Sequence, residues 1–198
     1  KTLWIGRIMA RDLQTELANK AAGNAGENYC KQAYGFILST DDYDIKGDGT
    51  TRSQKGMEIK HQWPNTIFKD EGPLLSYSAG EASKGFVNAN KCLNVEILLW
   101  VVAFPCGIVK TYFMPKGKRK GFKYTVKGKR MIGCYLKDAI EVIGKIDSAP
   151  DGLDKQLWSD YELNNTSGLY EKDKKDGKAE KIILEITESL PKINYADL

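Results

Sequence analysis

Apolar residues recur along the first segment at Trp4, Ile5, Ile8, Leu13 and Leu17, close to helical spacing, as far as Gly23. A second helix is predicted from about 24–27 to 34, stopped by Gly35. The pattern then changes. Phe36-Ile37-Leu38 reads as a short strand, an acidic turn follows at Asp41, Asp42 and Asp44, and a polar loop over 50–54 leads into a strand over 56–60. Residues 61–83, punctuated by Pro64, Gly72, Pro73 and Gly80, show no clear period and read as irregular. A helix is predicted over 89–98. The clearest signal is the unbroken apolar run over 97–104, a buried strand that Pro105-Cys106-Gly107 turns into a second strand over 108–114. Two short strands over 122–126 and 131–136, a helix over 136–146, a polar excursion over 164–178 and a closing helix or strand over 182–190 complete the chain. Helices, then a meander of strands, then mixed material predict one α/β or α+β domain. It divides into a helical segment 1–35, a sheet region 36–137 and a C-terminal extension 138–198.

Composition narrows this picture. With 198 residues, 41% of them hydrophobic, the chain can build one substantial core. Its longest apolar run is far too short to cross a bilayer, and no basic-then-apolar leader opens it at Lys1, so neither a membrane nor export is expected. Cys30, Cys92, Cys106 and Cys134 form no C-x-x-C pair and are expected to be reduced thiols in a cytoplasmic protein. With His61 the only histidine, a structural zinc site is not expected.

The net charge of +4 matters less than its distribution. From Ile97 to Lys137 there is no Asp or Glu, yet ten Lys or Arg, whereas Asp138 to Leu198 holds fourteen acids against eight bases. A basic third beside an acidic third suggests one face suited to a polyanion. The run Lys116, Lys118, Arg119, Lys120 is the expected clamp on backbone phosphates. The aromatics Tyr112, Phe113, Phe122 and Tyr124 are expected to pack in the core or sheet rather than stack on bases.

Candidate chemistry concentrates between Asp48 and Lys60. Glu58 and Lys60, two apart on a predicted strand, leave the same face, while Ile59 turns into the core. A hairpin through 50–55 would bring Asp48 beside Glu58. Two carboxylates suit Mg²⁺, and a nearby ammonium offsets their crowding and orients water, a combination fitted to phosphodiester hydrolysis. The bland alternative is an ordinary exposed strand edge, since Glu-x-Lys is common on soluble surfaces.

Asp48 followed by Glu58-Ile59-Lys60 resembles the D…(D/E)-x-K signature of the restriction-endonuclease-like (PD-(D/E)xK) nucleases, and most of all the PvuII-type type II restriction enzymes, whose Asp-to-Glu spacing is the same. The likeness spans about 45–115. It includes Lys84-Gly85-Phe86 ahead of the polar run Asn88, Asn90, Lys91, where such enzymes place base-reading side chains, and the strand pair over 99–113. The resemblance implies a restriction-endonuclease-like fold with a central mixed sheet flanked by helices. It also implies Mg²⁺ held by Asp48, Glu58 and the carbonyl of Ile59, Lys60 attending the water, and a homodimer on palindromic double-stranded DNA with the N-terminal helix as a dimer contact. Asp44 rivals Asp48 as first ligand. Glu27 is a candidate additional ligand, or an exposed glutamate favoured by its helix dipole. His61 is expected to face away from Lys60. Two features depart from the family: the recognition segment lacks its histidines, and 138–198 has no counterpart. A nuclease of this fold with another task (mismatch nicking, junction resolution, phage DNA processing) and a non-catalytic DNA-binding module remain as alternatives.

Overall fold

The computed structural model describes residues 23–38, 49–50, 55–62, 68–69, 71–80, 87–104, 107–126, 129–146 and 178–198. The predicted N-terminal helix, the acidic turn with Asp44 and Asp48, and the polar excursion lie outside them.

The fold is mixed α and β. Its main sheet runs β1 (Ile37–Leu38), β2 (Gly49–Thr50), β3 (Gly56–Gln62), β6 (Ile97–Ala103), β7 (Val109–Phe113), β10 (Ile140–Ile143) and β11 (Lys192–Asn194) in spatial order. β2 is antiparallel to both its neighbours β1 and β3, β6 lies parallel to β3, and β11 lies parallel to β10. A second sheet of β4 (Phe68–Lys69), β5 (Gly72–Gly80), β9 (Lys129–Tyr135) and β8 (Phe122–Val126) is antiparallel throughout.

β6 explains why its seven residues are all apolar: every one is buried, because both faces of the sheet are covered. Ile97, Leu99, Val101 and Ala103 meet Met57, Ile59 and the helix α1 (23–34) through Tyr29, Cys30, Ala33 and Tyr34. Leu98, Trp100 and Val102 meet the other cluster, built from Cys92 of α2 (Val87–Asn94), Ile183 of α3 (Lys178–Ser189), and Leu75, Tyr77, Ile132 and Cys134 of the second sheet. α1 ends as expected at Gly35, whose φ of 68° an L side chain resists.

The second sheet is fastened to the first through the edge of β5. The Gln62 side chain donates to Leu74 O at 2.9 Å and accepts from Ser76 N at 2.8 Å, while Trp100 Nε1 donates to Ser76 O at 3.2 Å. Side chains thus satisfy backbone groups that would otherwise be buried without partners.

Two expected elements are corrected. The segment read as irregular contains β5, whose Leu75 and Tyr77 point into the core and alternate with Ser76 and Ser78. Pro73 is tolerated because it lies at the second position of the strand. The predicted helix over 136–146 is a 3₁₀ turn (Leu136–Asp138) followed by β10. Its residues Ile140-Glu141-Val142-Ile143 gain partners on both sides, β7 and β11, and that pairing overrides local helical spacing. The predicted helix over 89–98 sits earlier, at Val87–Asn94, and the strand resumes at Ile97. The closing segment is helical.

Candidate active site

β2 and β3 pair with Gly49 opposite Met57 and Thr50 opposite Gly56. Asp48 itself lies outside the described residues, but its chain neighbour Gly49 is matched to Met57, the chain neighbour of Glu58. On β3 the pleat sends Met57 and Ile59 toward α1, so Glu58 and Lys60 leave the opposite face, beside Leu98 and Trp100 of β6.

Glu58 is only 2% exposed. Lys60 donates a hydrogen bond to its Oε1. The second ammonium comes from α2: Lys91 Nζ lies 2.5 Å from Oε2. The contact is an ion pair. Lys91, a base-reading candidate by sequence, is here paired with the carboxylate and remains partly exposed. A buried carboxylate requires compensating charge, and two lysines supply it here.

What holds α2 in place corrects a second expectation. Arg119 is not a phosphate contact. It is 0% exposed, and its guanidinium donates to Met114 O at 3.0 Å, Cys92 O at 3.3 Å, Glu96 O at 2.9 Å and Val95 O. Three of those carbonyls belong to the last turn of α2 and the residues just after it, where helical geometry leaves acceptors unsatisfied and favours a cation. Arg119 therefore caps the helix that carries Lys91. Its neighbours Lys116 and Lys120 are exposed, and Lys118, also exposed, pairs with Asp138 at 2.9 Å.

Other expected residues are distributed as follows. Asn88 and Asn90 belong to α2, and Ile59 turns its side chain into the α1-facing core. Glu27 sits on α1, across the sheet from Glu58, so the structure does not bring these two carboxylates to one face. His61 faces away from Lys60 and packs against Gly26, where an added Cβ would come within 3.1 Å of the His61 Cβ. Burial pushes the His61 pKa down to about 4.

The sequence reading missed a second buried carboxylate. Glu141 of β10, 3% exposed, accepts from Lys110 Nζ at 2.6 Å on one oxygen and from Lys192 on the other. Burial alone would raise its pKa, but the two ammonium groups outweigh that and hold it below the usual carboxylate value. A glutamate inside Ile-Glu-Val-Ile was the available signal. Lys60, Trp100, Tyr112, Glu141 and Lys192 form one row across the sheet, which sets Lys60 and Glu141 three strand spacings, roughly 14 Å, apart.

Among the described residues no three His, Cys, Asp or Glu side chains cluster to hold a metal ion. Glu58 supplies hard oxygen donors of the kind that Mg²⁺ takes, and its buried Oε2 has no hydrogen-bond partner among the described residues. The described helices include none long and apolar enough to cross a membrane. No model of a known protein family matches the chain, and a search of curated proteins finds no match.

Proposed function

We propose that this chain is a Mg²⁺-dependent endonuclease of the restriction-endonuclease-like fold, a homodimer that cuts double-stranded DNA at a short, palindromic sequence. The observation that carries the reading is Glu58. It is buried on a strand of a mixed sheet flanked by helices, with Lys60 on the same face and a hairpin that matches the neighbours of Asp48 and Glu58. Among the described residues Cys30, Cys92 and Cys134 are buried and form no disulfide, which favours a reducing compartment, the cytoplasm.

In this reading Asp48 and Glu58 hold the ion, with Asp44 as the rival to Asp48. The chemistry a bound magnesium ion supplies is Lewis-acid polarisation of the phosphodiester and neutralisation of charge developing in the transition state. Lys60 orients the attacking water by donating to it, and its positive charge lowers the cost of bringing phosphate to carboxylate. Lys116, Lys118 and Lys120 contact backbone phosphates and position the duplex without reading sequence, while Asn88 and Asn90 on α2 are the base-reading candidates.

The test is a digest of varied plasmid DNA by the full chain with Mg²⁺ or Mn²⁺. Discrete fragments from fixed sites, lost in Asp48→Ala and Lys60→Ala, are expected. Intact plasmid with the wild type would overturn the reading. One observation favours a second one, a DNA-binding module without catalysis: Glu58 is neutralised by two lysines, as the structural carboxylate Glu141 is. In that case neither substitution alters duplex affinity and no variant cuts.

A further inference from the structure

The rings expected to be packed away are not all buried. Tyr112 is fully buried, but Phe122 on β8 is 41% exposed, and Tyr124 and Tyr135 are partly exposed. Phe122 lies opposite Gly133 and Tyr124 opposite Met131, so Phe122 and Tyr124 share one face of the β8–β9 hairpin. Tyr135, two residues beyond Gly133, shares it too. The Phe122 and Tyr124 rings are 6.4 Å apart between centroids and tilted by 31°. Tyr124 is anchored by its hydroxyl, which donates to Ser76 Oγ at 2.6 Å. Gly133, opposite Phe122, gives room to the Leu74 side chain, which a Cβ there would strike.

Cations gather at the Phe122 and Tyr124 end of this face, while at the Tyr135 end Lys137 is paired with Glu71. No acid occurs from Ile97 to Lys137, and Lys120, Lys123 and Arg130 are exposed beside the hairpin. Lys123 leaves the opposite side of β8, the last strand in its sheet, and so borders its edge, while Lys137 Nζ lies 5.6 Å from the centroid of the Tyr135 ring.

We propose that the ring-bearing face of the β8–β9 hairpin is a docking surface for single-stranded nucleic acid. Bases stack on Phe122 and Tyr124, while the phosphates follow the cationic edge at Lys120 and Lys123. Flat rings accept any base, and flanking cations supply affinity without sequence preference. Exposed rings beside lysines match a strand that offers stackable bases and anionic phosphates together. This surface is separate from Glu58 and does not depend on cleavage.

The experiment is fluorescence anisotropy of the full chain with a labelled mixed-sequence 15-nucleotide DNA strand, in EDTA. Phe122→Ala is expected to weaken binding about tenfold. Phe122→Trp should keep the affinity, and its indole emission should be quenched by the strand. Replacing Lys120 and Lys123 by Ala should reduce the slope of log affinity against log salt by about 1.4. Phe122→Leu separates stacking from general apolar contact: a loss like that of Phe122→Ala supports the proposal, and wild-type affinity overturns it. The proposal also fails if the wild type does not bind the strand, or if Phe122→Ala binds as the wild type does with an unchanged circular dichroism spectrum.

Discussion

Glu58 and Glu141 are buried on the same face of the same sheet, and each is flanked by two lysines, yet they are finished differently. At Glu141 both oxygens accept hydrogen bonds from ammonium groups that rise from adjacent strands, β7 and β11. That carboxylate is saturated and belongs to the sheet. At Glu58 one oxygen is bonded by Lys60 of the same strand, while the other is ion-paired with Lys91, brought in by a helix. A closed ion triad fixes strands in place. The Glu58 triad draws one of its lysines from a helix instead, and under the proposed function that lysine is the cation a metal ion would replace.

The largest effect that separates the two is on cleavage. Glu58→Gln should lower the rate of plasmid cutting by about a thousandfold or more, since several kcal/mol of transition-state stabilisation pass through its ligand. Glu141→Gln should cut at the wild-type rate, measured as initial loss of supercoiled DNA.

Stability should invert that order. Glu141→Gln weakens both hydrogen bonds of a saturated carboxylate. Because its lysines are a third to nearly half exposed and can turn to water, the loss is about 1–2 kcal/mol in urea unfolding with EDTA. Glu58→Gln should lose less, having one directed bond to forfeit; a larger loss than at Glu141 would mark Glu58 as the structural member.

Next in size is competition for Glu58. Lys91→Met should tighten Mn²⁺ binding about tenfold, because an ammonium no longer shares Oε2 with the ion, while Lys192→Met leaves it unchanged. Titration calorimetry reads both.

The smallest effect is on pH dependence. The Glu141 pKa is depressed in the folded state, so its contribution is present above the unfolded carboxylate value near 4.5 and is lost as pH falls through the folded value. Urea midpoints of wild type and Glu141→Gln should therefore converge as pH falls below the ordinary carboxylate range. His61, kept neutral by burial down to about pH 4, destabilises both proteins equally as pH falls below its ordinary value of 6.5, so the difference isolates Glu141.

How much of this was legible in the sequence depended on whether the cause was local. β3, β6, β7, β8 and β9 followed from alternation or from unbroken apolar runs, because burial on one or both faces writes itself into side-chain order. The relation of Glu58 to Lys60 followed from the pleat. Arg119 did not: in Lys-Gly-Lys-Arg-Lys it looks like its neighbours, and its burial is caused by carbonyls at the end of α2, more than twenty residues earlier. Lys91 was hidden for the same reason, since its partner is set by where Arg119 pins that helix. β10 was misread because strands from distant parts of the chain, β7 and β11, decide it.

The central contrast is tested most directly by Mn²⁺ binding to the full chain without DNA, followed by loss of the free-ion paramagnetic resonance signal, in wild type, Glu58→Gln and Glu141→Gln. A metal centre at Glu58 requires binding to the wild type and to Glu141→Gln, and its loss in Glu58→Gln. Equal binding by all three proteins, or loss only in Glu141→Gln, would contradict it.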